Sequence, residues 1–311
     1  MAARRRGIVG RINRRNFWCC ATTRRTPLHR QRRRTRGIFP YDISRATTTN
    51  RVASLSNAIR RRRTAKSYVR ASEGTYDLSR IDFLDMVKCL RGRRCGGLMP
   101  RVPWKNHWIH PLVFVHSVRD VVPGLYLVDR TRDDEDRTRL YDCLRRAAHA
   151  NDDRTTIEDE GLIRVAVNFD TRRIARLLSR EQDIAADGAF TVSFVAELDP
   201  LRSKDVPHLY RCVHWEAAWL GHALYLTSEA IGLRGSGIGS FYSSMARHFF
   251  FHDAAPFHTH HPPTCPYRPV YHFTVGNPNH DDRIRHGWPY DQIQHYSHNN
   301  YTDIERLHMA T

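Results

Sequence analysis

Residues Leu209–Phe241 carry the longest regular pattern of the chain and read LYRCVHWEAAWLGHALYLTSEAIGLRGSGIGSF. Its first part carries apolar residues at steps of three and four, or multiples of them, which is the spacing of one face of an α-helix. The residues with this spacing are Leu209, Val213, Ala217, Leu220, Leu224 and Ile231. The sequence therefore predicts its longest helix over 209–233, followed directly by a glycine-rich segment.

Helical and strand patterns are interleaved along the rest of the chain. Ser79 is a candidate N-cap, because Ile81, Phe83, Leu84, Val87 and Leu90 follow it at helical spacing. Further helices are predicted at 54–68, 134–150 and 171–181, and strands at 111–118, 125–129, 163–168, 191–198 and 271–275. This interleaving favours a layered α/β or α+β domain.

The positive charge of the chain is confined to its first fifth. The 311 residues have a net charge of +18, and residues 1–63 hold 19 Arg, no Lys and a single acid, Asp42. The other residues carry 31 basic and 31 acidic side chains and are neutral. The excess charge therefore belongs to the N-terminal segment, and the predicted globular domain gives no reason to expect nucleic-acid binding.

The domain organisation predicted from this charge is a basic, Arg-rich leader at 1–54 and a globular domain at 55–311. A leader rich in Arg, Ser and Thr with hardly any acid is typical of a transit peptide, which predicts a mitochondrion or another organelle. Two alternatives stay open. The leader could be a disordered arm that binds nucleic-acid phosphates, or an inert tail or mis-set start on a cytoplasmic protein.

Several classes of protein are excluded by composition. No run approaches the roughly 18 uncharged apolar residues of a membrane helix, so no membrane span is predicted. The seven Cys show no CxxC spacing, which favours reduced thiols in an intracellular protein over a disulfide scaffold or a zinc ribbon. A His- and Pro-rich insertion at about 243–269 has a spacing that fits no known ligand pattern, so no metal site is predicted.

Two segments carry residues suited to holding a ligand. Arg62-Arg63-Thr64-Ala65-Lys66 offers two guanidiniums, a hydroxyl and an ammonium, which can hold a phosphate, although such runs commonly just face solvent. The glycines of 235–241 (GSGIGSF) would let a flat ligand approach the backbone, and a tight helix-to-strand turn explains them equally well. The second segment is not a dinucleotide fingerprint, because it follows a helix instead of opening one.

Together with the last predicted strand, these segments resemble the FMN-dependent nitroreductase family, and most of all its SagB-type branch of thiazoline and oxazoline dehydrogenases. Arg62–Tyr68 (RRTAKSY) is similar to the family's opening R-x-[ST]-x-[KR]-x-[FY] segment. The resemblance covers about Ile59 to Tyr290. Its other pieces are Pro123–Tyr126 (PGLY), Gln182–Ala185 (QDIA), Asp187–Phe190 (DGAF), Tyr210–Leu226, Ala230–Gly239 and Tyr271–Pro278.

The resemblance implies a nitroreductase-like α+β fold, with a mixed, mostly antiparallel sheet flanked by helices. It also implies a homodimer that holds FMN at its interface. No catalytic side chain is assigned, because the flavin carries the chemistry. The implied cofactor-binding residues are Arg62, Arg63, Thr64, Lys66, Asn106, Ile238, Gly239, Ser240 and Arg283, with Arg285 as the alternative to Arg283. Gln182 is implied on the substrate side.

The implied activity is ping-pong hydride transfer between NAD(P)H and a nitro, quinone or other conjugated acceptor. The reverse sense, dehydrogenation of a small-molecule substrate, is the SagB-like variant. The chain has no counterpart of the Lys-Tyr pair expected of azoline dehydrogenases, which favours general flavin redox chemistry. The alternative from another class is a non-catalytic module that binds a partner, or a nucleic-acid-associated protein that uses its Arg-rich arm.

Overall fold

A computed structural model of the chain describes residues 55–72, 74–91, 107–131, 134–147, 161–198, 207–251 and 265–279. The predictions made for the leader, for Asn106 and for Arg283 lie outside these residues. The described helices are α1 (Leu55–Arg61), α2 (Arg80–Leu90), α3 (Asp134–Ala147), α4 (Thr171–Leu178), α5 (Ile184–Asp187), α6 (Pro207–Ala230) and α7 (Ser243–Phe251). The described strands are β1 (Ile109–Val115), β2 (Gly124–Val128), β3 (Leu162–Val167), β4 (Phe190–Glu197), β5 (Arg234–Ile238) and β6 (Tyr267–Gly276).

These strands form a single sheet in the order β3-β2-β1-β4-β6-β5, and each strand pair in it is antiparallel. β4 lies inside the sheet, where Val192 pairs with Val113 of β1 and with Phe273 of β6. The residues of β4 are buried on both faces, apart from the partly exposed Glu197 at its end. The predicted α+β class is confirmed.

Helices cover both faces of the sheet. On one face, Val192 and Phe194 of β4 belong to a cluster that also contains Phe83 of α2 and Leu220 of α6. On the other face, Val195 belongs to a second cluster, which contains Leu144 of α3, Leu178 of α4 and Phe250 of α7. Successive side chains of β4 therefore belong to two separate cores, one on each face of the sheet.

The helix predicted after Ser79 is confirmed as α2. The Ser79 hydroxyl accepts a hydrogen bond from the amide of Asp82 at 3.2 Å, a cap that stabilises a helix by about 1 kcal/mol. Phe83, Val87 and Leu90 are buried as expected. Ile81 is not, because it lies on the outer side of the helix and is 74% exposed.

The helices predicted at 54–68 and 171–181 are longer than the observed α1 and α4. α1 ends at Arg61, and the predicted remainder up to Tyr68 is extended chain that lies against the sheet. α4 ends at Leu178 instead of Glu181, because Arg180 and Glu181 have φ values of 57° and 60°. That left-handed conformation cannot continue a right-handed helix.

Residues 235–238 of the glycine-rich segment belong to a strand, so the interpretation of these glycines as a helix-to-strand turn is wrong. The turn comes earlier, at Gly232, whose φ of 83° ends α6. The amides of Gly232 and Leu233 then donate to the carbonyls of Glu229 and Ser228 at 3.2 and 2.9 Å. Hydrogen bonds of this kind satisfy the last carbonyls of a helix and let the chain reverse direction. β5 starts two residues after Gly232 and pairs with β6.

The predicted insertion at 243–269 is not a loop throughout. It begins with α7 and ends inside β6, while 252–264 lie outside the described residues. The expectation that the thiols are reduced is wrong at Cys89 of α2, which is disulfide-bonded. It holds at Cys143, Cys212 and Cys265. None of the described helices is both long and apolar enough to cross a bilayer, and the described residues contain no group of three or more His, Cys, Asp or Glu placed to hold a metal ion.

Candidate functional site

The predicted cofactor-binding segment lies along the end of the sheet. The amide of Ala65 donates to the carbonyl of Gly235 in β5 at 3.0 Å, and the amide of Val69 donates to Asn277 after β6 at 2.9 Å. Ala65 and Tyr68 are buried by these contacts, whereas Thr64 and Lys66 are exposed. The backbone pairing therefore directs the polar side chains of the segment to solvent.

Tyr68 fixes this segment to the sheet. Its hydroxyl lies 3.0 Å from the carbonyl oxygen of Thr274 and 3.2 Å from that of Arg234, so it can donate to either. Burial raises the pKa of Tyr68 well above its usual value, which keeps the hydroxyl protonated as a donor. The ring packs on Gly276, where a Cβ atom would come within 2.8 Å of the ring carbon Cγ. The aromatic residue and this glycine are therefore matched by shape.

Tyr225 of α6 brings the predicted residues Arg62 and Thr64 together. Its hydroxyl lies 3.2 Å from Thr64 Oγ1 and accepts a hydrogen bond from the Gly237 amide at 3.0 Å. The Arg62 guanidinium lies over the Tyr225 ring, 4.8 Å from its centroid. The same ring packs edge-to-face against Phe273, with the ring centroids 4.7 Å apart. Such a contact between a cation and an aromatic ring orders the arginine side chain.

Sequence reasoning missed Tyr225. One indication was available in the sequence. Tyr225 lies one helical turn beyond His222 and near the end of α6, and the strand that follows must run back alongside this part of the helix. A tyrosine there brings a hydroxyl to the backbone of that strand.

The environment of Arg62 is strongly basic. Glu229, near the end of α6, faces Arg234, Arg61, Arg63 and Arg62, and Arg61 Nε lies 3.8 Å from its carboxylate. Burial raises the pKa of Glu229 even though these arginines oppose the shift. One carboxylate does not balance the surrounding cations, so this end of β5 has a net positive charge.

Arg63 has a different position from Arg62. Its Nη1 donates to the carbonyls of Arg60 and Arg62 at 2.9 and 2.8 Å. These carbonyls lie at the C-terminal end of α1, where backbone acceptors have no partner within the helix. Arg63 therefore holds the end of α1, while Arg62 and Thr64 face Tyr225.

The glycines of β5 make room for aromatic side chains of the protein itself. A Cβ atom at Gly235 would come within 2.5 Å of Phe273, and one at Gly237 would overlap the Tyr271 hydroxyl. Gly239 differs, because nothing lies within 4 Å of its Cβ position. Of these three glycines, only Gly239 leaves open space in which a flat ligand could approach the backbone.

The other predicted residues of this segment have contrasting positions. The side chain of Ile238 is buried at 2% exposure in the core formed with α3, α4 and α7, so only its backbone could reach a ligand. Ser240 is exposed and lies against Gln182. The side-chain Nε2 of Gln182 donates to the carbonyls of Ser179 and Ser240 at 2.7 and 2.9 Å, and Arg180 Nη1 donates to Ser240 Oγ at 3.1 Å. The structure thus brings together Gln182 and Ser240, which are far apart in sequence.

Comparison with known proteins supports the fold and gives no family. No protein-family profile matches the chain, and no curated protein matches it in sequence. Among solved structures, a protein from Anabaena variabilis described as a nitroreductase has a TM-score of 0.51 and 17% identity. The chain has a nitroreductase-like fold.

The match to the Anabaena protein covers 72% of this chain but 38% of the other, so the chain spans well under half of that protein. Two more solved structures match less well. The E. coli microcin synthetase McbBCD complex with truncated pro-MccB17 bound has a TM-score of 0.44 and 13% identity, over 78% of this chain and 79% of that one. An NADPH:FMN oxidoreductase from Vibrio harveyi, complexed with NAD+, has a TM-score of 0.39 and 10% identity, over 80% and 85%.

Proposed function

We propose that the chain is an FMN-dependent oxidoreductase of the nitroreductase type. The observation that carries the proposal is the grouping of Arg62, Thr64 and Tyr225 at the edge strand β5 of a nitroreductase-like fold. When bound, FMN would supply the hydride transfer itself, so the tasks left to the protein are binding and orientation.

The charge and polarity of the site fit an FMN phosphate and its hydroxylated chain. Arg62 and Lys66 provide positive charge, and Arg62 is already ordered by its contact with Tyr225. The exposed Thr64 hydroxyl can donate to one oxygen and accept from another group. A guanidinium beside a hydroxyl is a combination suited to phosphate oxygens.

The other end of β5 fits the flat ring of a flavin. The open backbone at Gly239 and the exposed Ser240 lie four and five residues beyond Gly235, or about 13–17 Å along an extended chain. Gln182 holds the Ser240 backbone in place. Asn106 and Arg283, which the resemblance also assigns to the cofactor, remain predictions outside the described residues.

The proposed reaction is ping-pong hydride transfer, with NAD(P)H as donor and a nitro, quinone or other conjugated compound as acceptor. Dehydrogenation of a substrate in the SagB-like sense is the other direction open to the same site.

A homodimer is part of the proposal, and the outer face of α6 supports it. Arg211, Trp215, Ala218 and His222 are exposed at steps of four, three and four, so they form one stripe along the helix. Trp215 is 57% exposed, which is unusual for so large an apolar side chain. The stripe continues to Tyr225, so a second copy covering it would also border the candidate site.

The test is reconstitution of the full chain with FMN. Purified protein should show the visible absorption of oxidised flavin, or gain it when FMN is added and excess is removed. Replacing Arg62 and Lys66 together by Ala should raise the FMN dissociation constant about tenfold or more, because each loses a charge-assisted contact. Arg173→Ala is the matched control, since it removes an exposed arginine from α4 on the other layer of helices. Folded wild-type protein that binds no FMN would refute the proposal.

A second candidate function rests on the 19 arginines of residues 1–63. Their charge suits nucleic-acid phosphates, and such binding weakens steeply as salt concentration rises. Salt-sensitive binding of RNA or DNA by the flavin-free chain would favour this alternative over the enzyme.

A further inference from the structure

Two cysteines from distant parts of the chain lie against each other in the core. Cys143 belongs to α3 and Cys265 lies two residues before β6. The Cys143 thiol is close enough to raise the pKa of Cys265, and Pro266, the residue after Cys265, lines the same cavity as Cys143. Both are reduced, and they are only 5% and 2% exposed. They belong to the same apolar cluster, on the face of the sheet covered by α3, α4 and α7.

The pair has one side that small molecules can reach. Cys143 lines a cavity of about 660 Å³, whose other lining residues are Asp134, Glu135, Thr138, Arg139, Asp142 and Pro266. Cys265 is not part of this lining. A reagent that entered the cavity would therefore meet the sulfur of Cys143 first, with Cys265 behind it.

The surroundings of Cys265 keep its thiol protonated. The neighbouring Cys143 thiol and burial raise the pKa of Cys265, and the nearby Arg247 opposes the shift without cancelling it. Cys265 therefore stays protonated at neutral pH. Since thiolates are the reactive form, Cys265 is a poor first nucleophile but is well placed to react with an oxidised neighbour.

We propose that Cys143 and Cys265 are a peroxide-oxidisable dithiol that closes to a disulfide between α3 and the start of β6. In the first step, the Cys143 sulfur attacks one oxygen of a hydroperoxide and the O–O bond breaks. Cys143 becomes a sulfenic acid, and the peroxide leaves as water or an alcohol. In the second step, the Cys265 sulfur displaces the sulfenic oxygen, which leaves as water with the Cys265 proton. The two thiols lose two electrons in total, and the peroxide gains them.

Closure would join α3 covalently to the segment that leads into β6. The link would close a loop of more than a hundred residues, and a cross-link of that length restricts the unfolded chain strongly. The oxidised protein should therefore melt at a higher temperature than the reduced protein. This inference does not depend on flavin binding, since the pair lies on the face of the sheet opposite α6.

The test exposes the full chain to hydrogen peroxide, blocks remaining thiols by alkylation and maps peptides by mass spectrometry without reduction. A linked pair of peptides containing Cys143 and Cys265 should appear, two hydrogens lighter than the sum of its parts, and dithiothreitol should separate them. In Cys265→Ser, the sulfenic acid of Cys143 should persist and become labelled by dimedone. In Cys143→Ser, dimedone labelling at Cys265 should be absent.

Three results would overturn the inference. The first is that both thiols of the wild type remain alkylatable after peroxide. The second is dimedone labelling of Cys143 in the wild type without a cross-link. The third is dimedone labelling of Cys265 in Cys143→Ser. Cys212, a half-buried cysteine of α6, provides the internal control and should not enter the cross-link. If either serine variant fails to fold, the wild-type cross-link and the rise in its melting temperature still decide the question.

Discussion

The Tyr225 hydroxyl accepts a hydrogen bond from the Gly237 amide at 3.0 Å. It joins the end of α6 to the edge strand β5, and it also lies 3.2 Å from Thr64 Oγ1. The ring of the same tyrosine supports the Arg62 guanidinium. One side chain therefore sets the positions of the edge strand and of the basic segment that we assign to FMN.

Tyr225→Phe keeps the ring under Arg62 and removes the hydroxyl. We expect the free energy of unfolding to fall by about 1–2 kcal/mol, because the Gly237 amide loses its acceptor. We also expect weaker FMN binding, because Thr64 loses the contact that positions it. Urea denaturation and FMN titration measure the two effects. Tyr76→Phe, at an exposed tyrosine, is the control. Equal unfolding free energies and equal FMN affinities of the two variants would show that the Tyr225 hydroxyl positions neither β5 nor Thr64.

Gly237 and Gly239 form a matched pair for testing the packing of β5. Gly237→Ala should destabilise the protein by about 1–3 kcal/mol, because its Cβ would overlap the Tyr271 hydroxyl. Gly239→Ala should change stability by less than about 0.5 kcal/mol, because its Cβ position is open. Both free energies come from urea denaturation.

Adding Tyr271→Phe to Gly237→Ala separates the clash from a general effect of alanine in the strand. Removing the Tyr271 hydroxyl should recover part of the stability lost in Gly237→Ala. The double variant should therefore be destabilised by less than the sum of the two single changes. Only part should return, because the ring carbon Cζ of Tyr271 would still lie 2.9 Å from the new Cβ. Strict additivity of the two changes would rule out this clash.

The long helix and β4 could be predicted from sequence because their apolar spacing is local. The strand β5 could not, because its glycines carry no strand pattern and are required only by Tyr271 and Phe273 on the neighbouring strand. Tyr225 was missed for a similar reason. Its contacts with Gly237 and Thr64 depend on how α6 returns over β5 after the turn at Gly232, which residue spacing alone does not specify.

A buried ion pair connects α6 to β1 and β2. Arg130 Nη2 lies 2.6 Å from Glu216 Oε1, both side chains are fully buried, and the Trp108 amide donates to Glu216 Oε2 at 2.8 Å. Glu216→Gln should cost about 3–5 kcal/mol, because it leaves the Arg130 charge buried without its counter-charge. Glu197→Gln is the control. Its partner Arg139 is 3.7 Å away and partly exposed, so its cost should stay below about 1 kcal/mol.

The same pair predicts behaviour in acid. Burial by itself would raise the pKa of Glu216, but His107, Arg130 and the Trp108 amide together hold it below its usual 4.5. A carboxyl whose pKa is depressed by folding stabilises the protein above its unfolded pKa and loses that effect as pH falls through the folded one. The wild type should therefore lose this contribution only below about pH 4.5. Glu216→Gln should lack that acid-sensitive step in urea denaturation.

Two buried histidines predict an earlier loss of stability in mild acid. Burial lowers the pKa of His116 and of His272 from 6.5 to about 3. His116 is held neutral between Thr171 Oγ1 at 2.9 Å and the Ala185 carbonyl at 3.1 Å. Between pH 6.5 and 3 the unfolded chain binds a proton at each histidine that the folded chain does not, so stability falls with pH. The slope approaches about 1.4 kcal/mol per pH unit for each histidine.

Urea denaturation at pH 7, 6 and 5 separates the contribution of His116 to the pH dependence of stability from the contributions of the other titrating groups. His116→Gln removes one proton-binding difference, so its stability should decline less steeply with falling pH than that of the wild type, even though the variant starts from a lower value at pH 7. His208→Gln, at an exposed position on α6, should keep the wild-type slope. Equal slopes for wild type and His116→Gln would mean that His116 takes up its proton in the folded protein, which its two hydrogen bonds and its burial argue against.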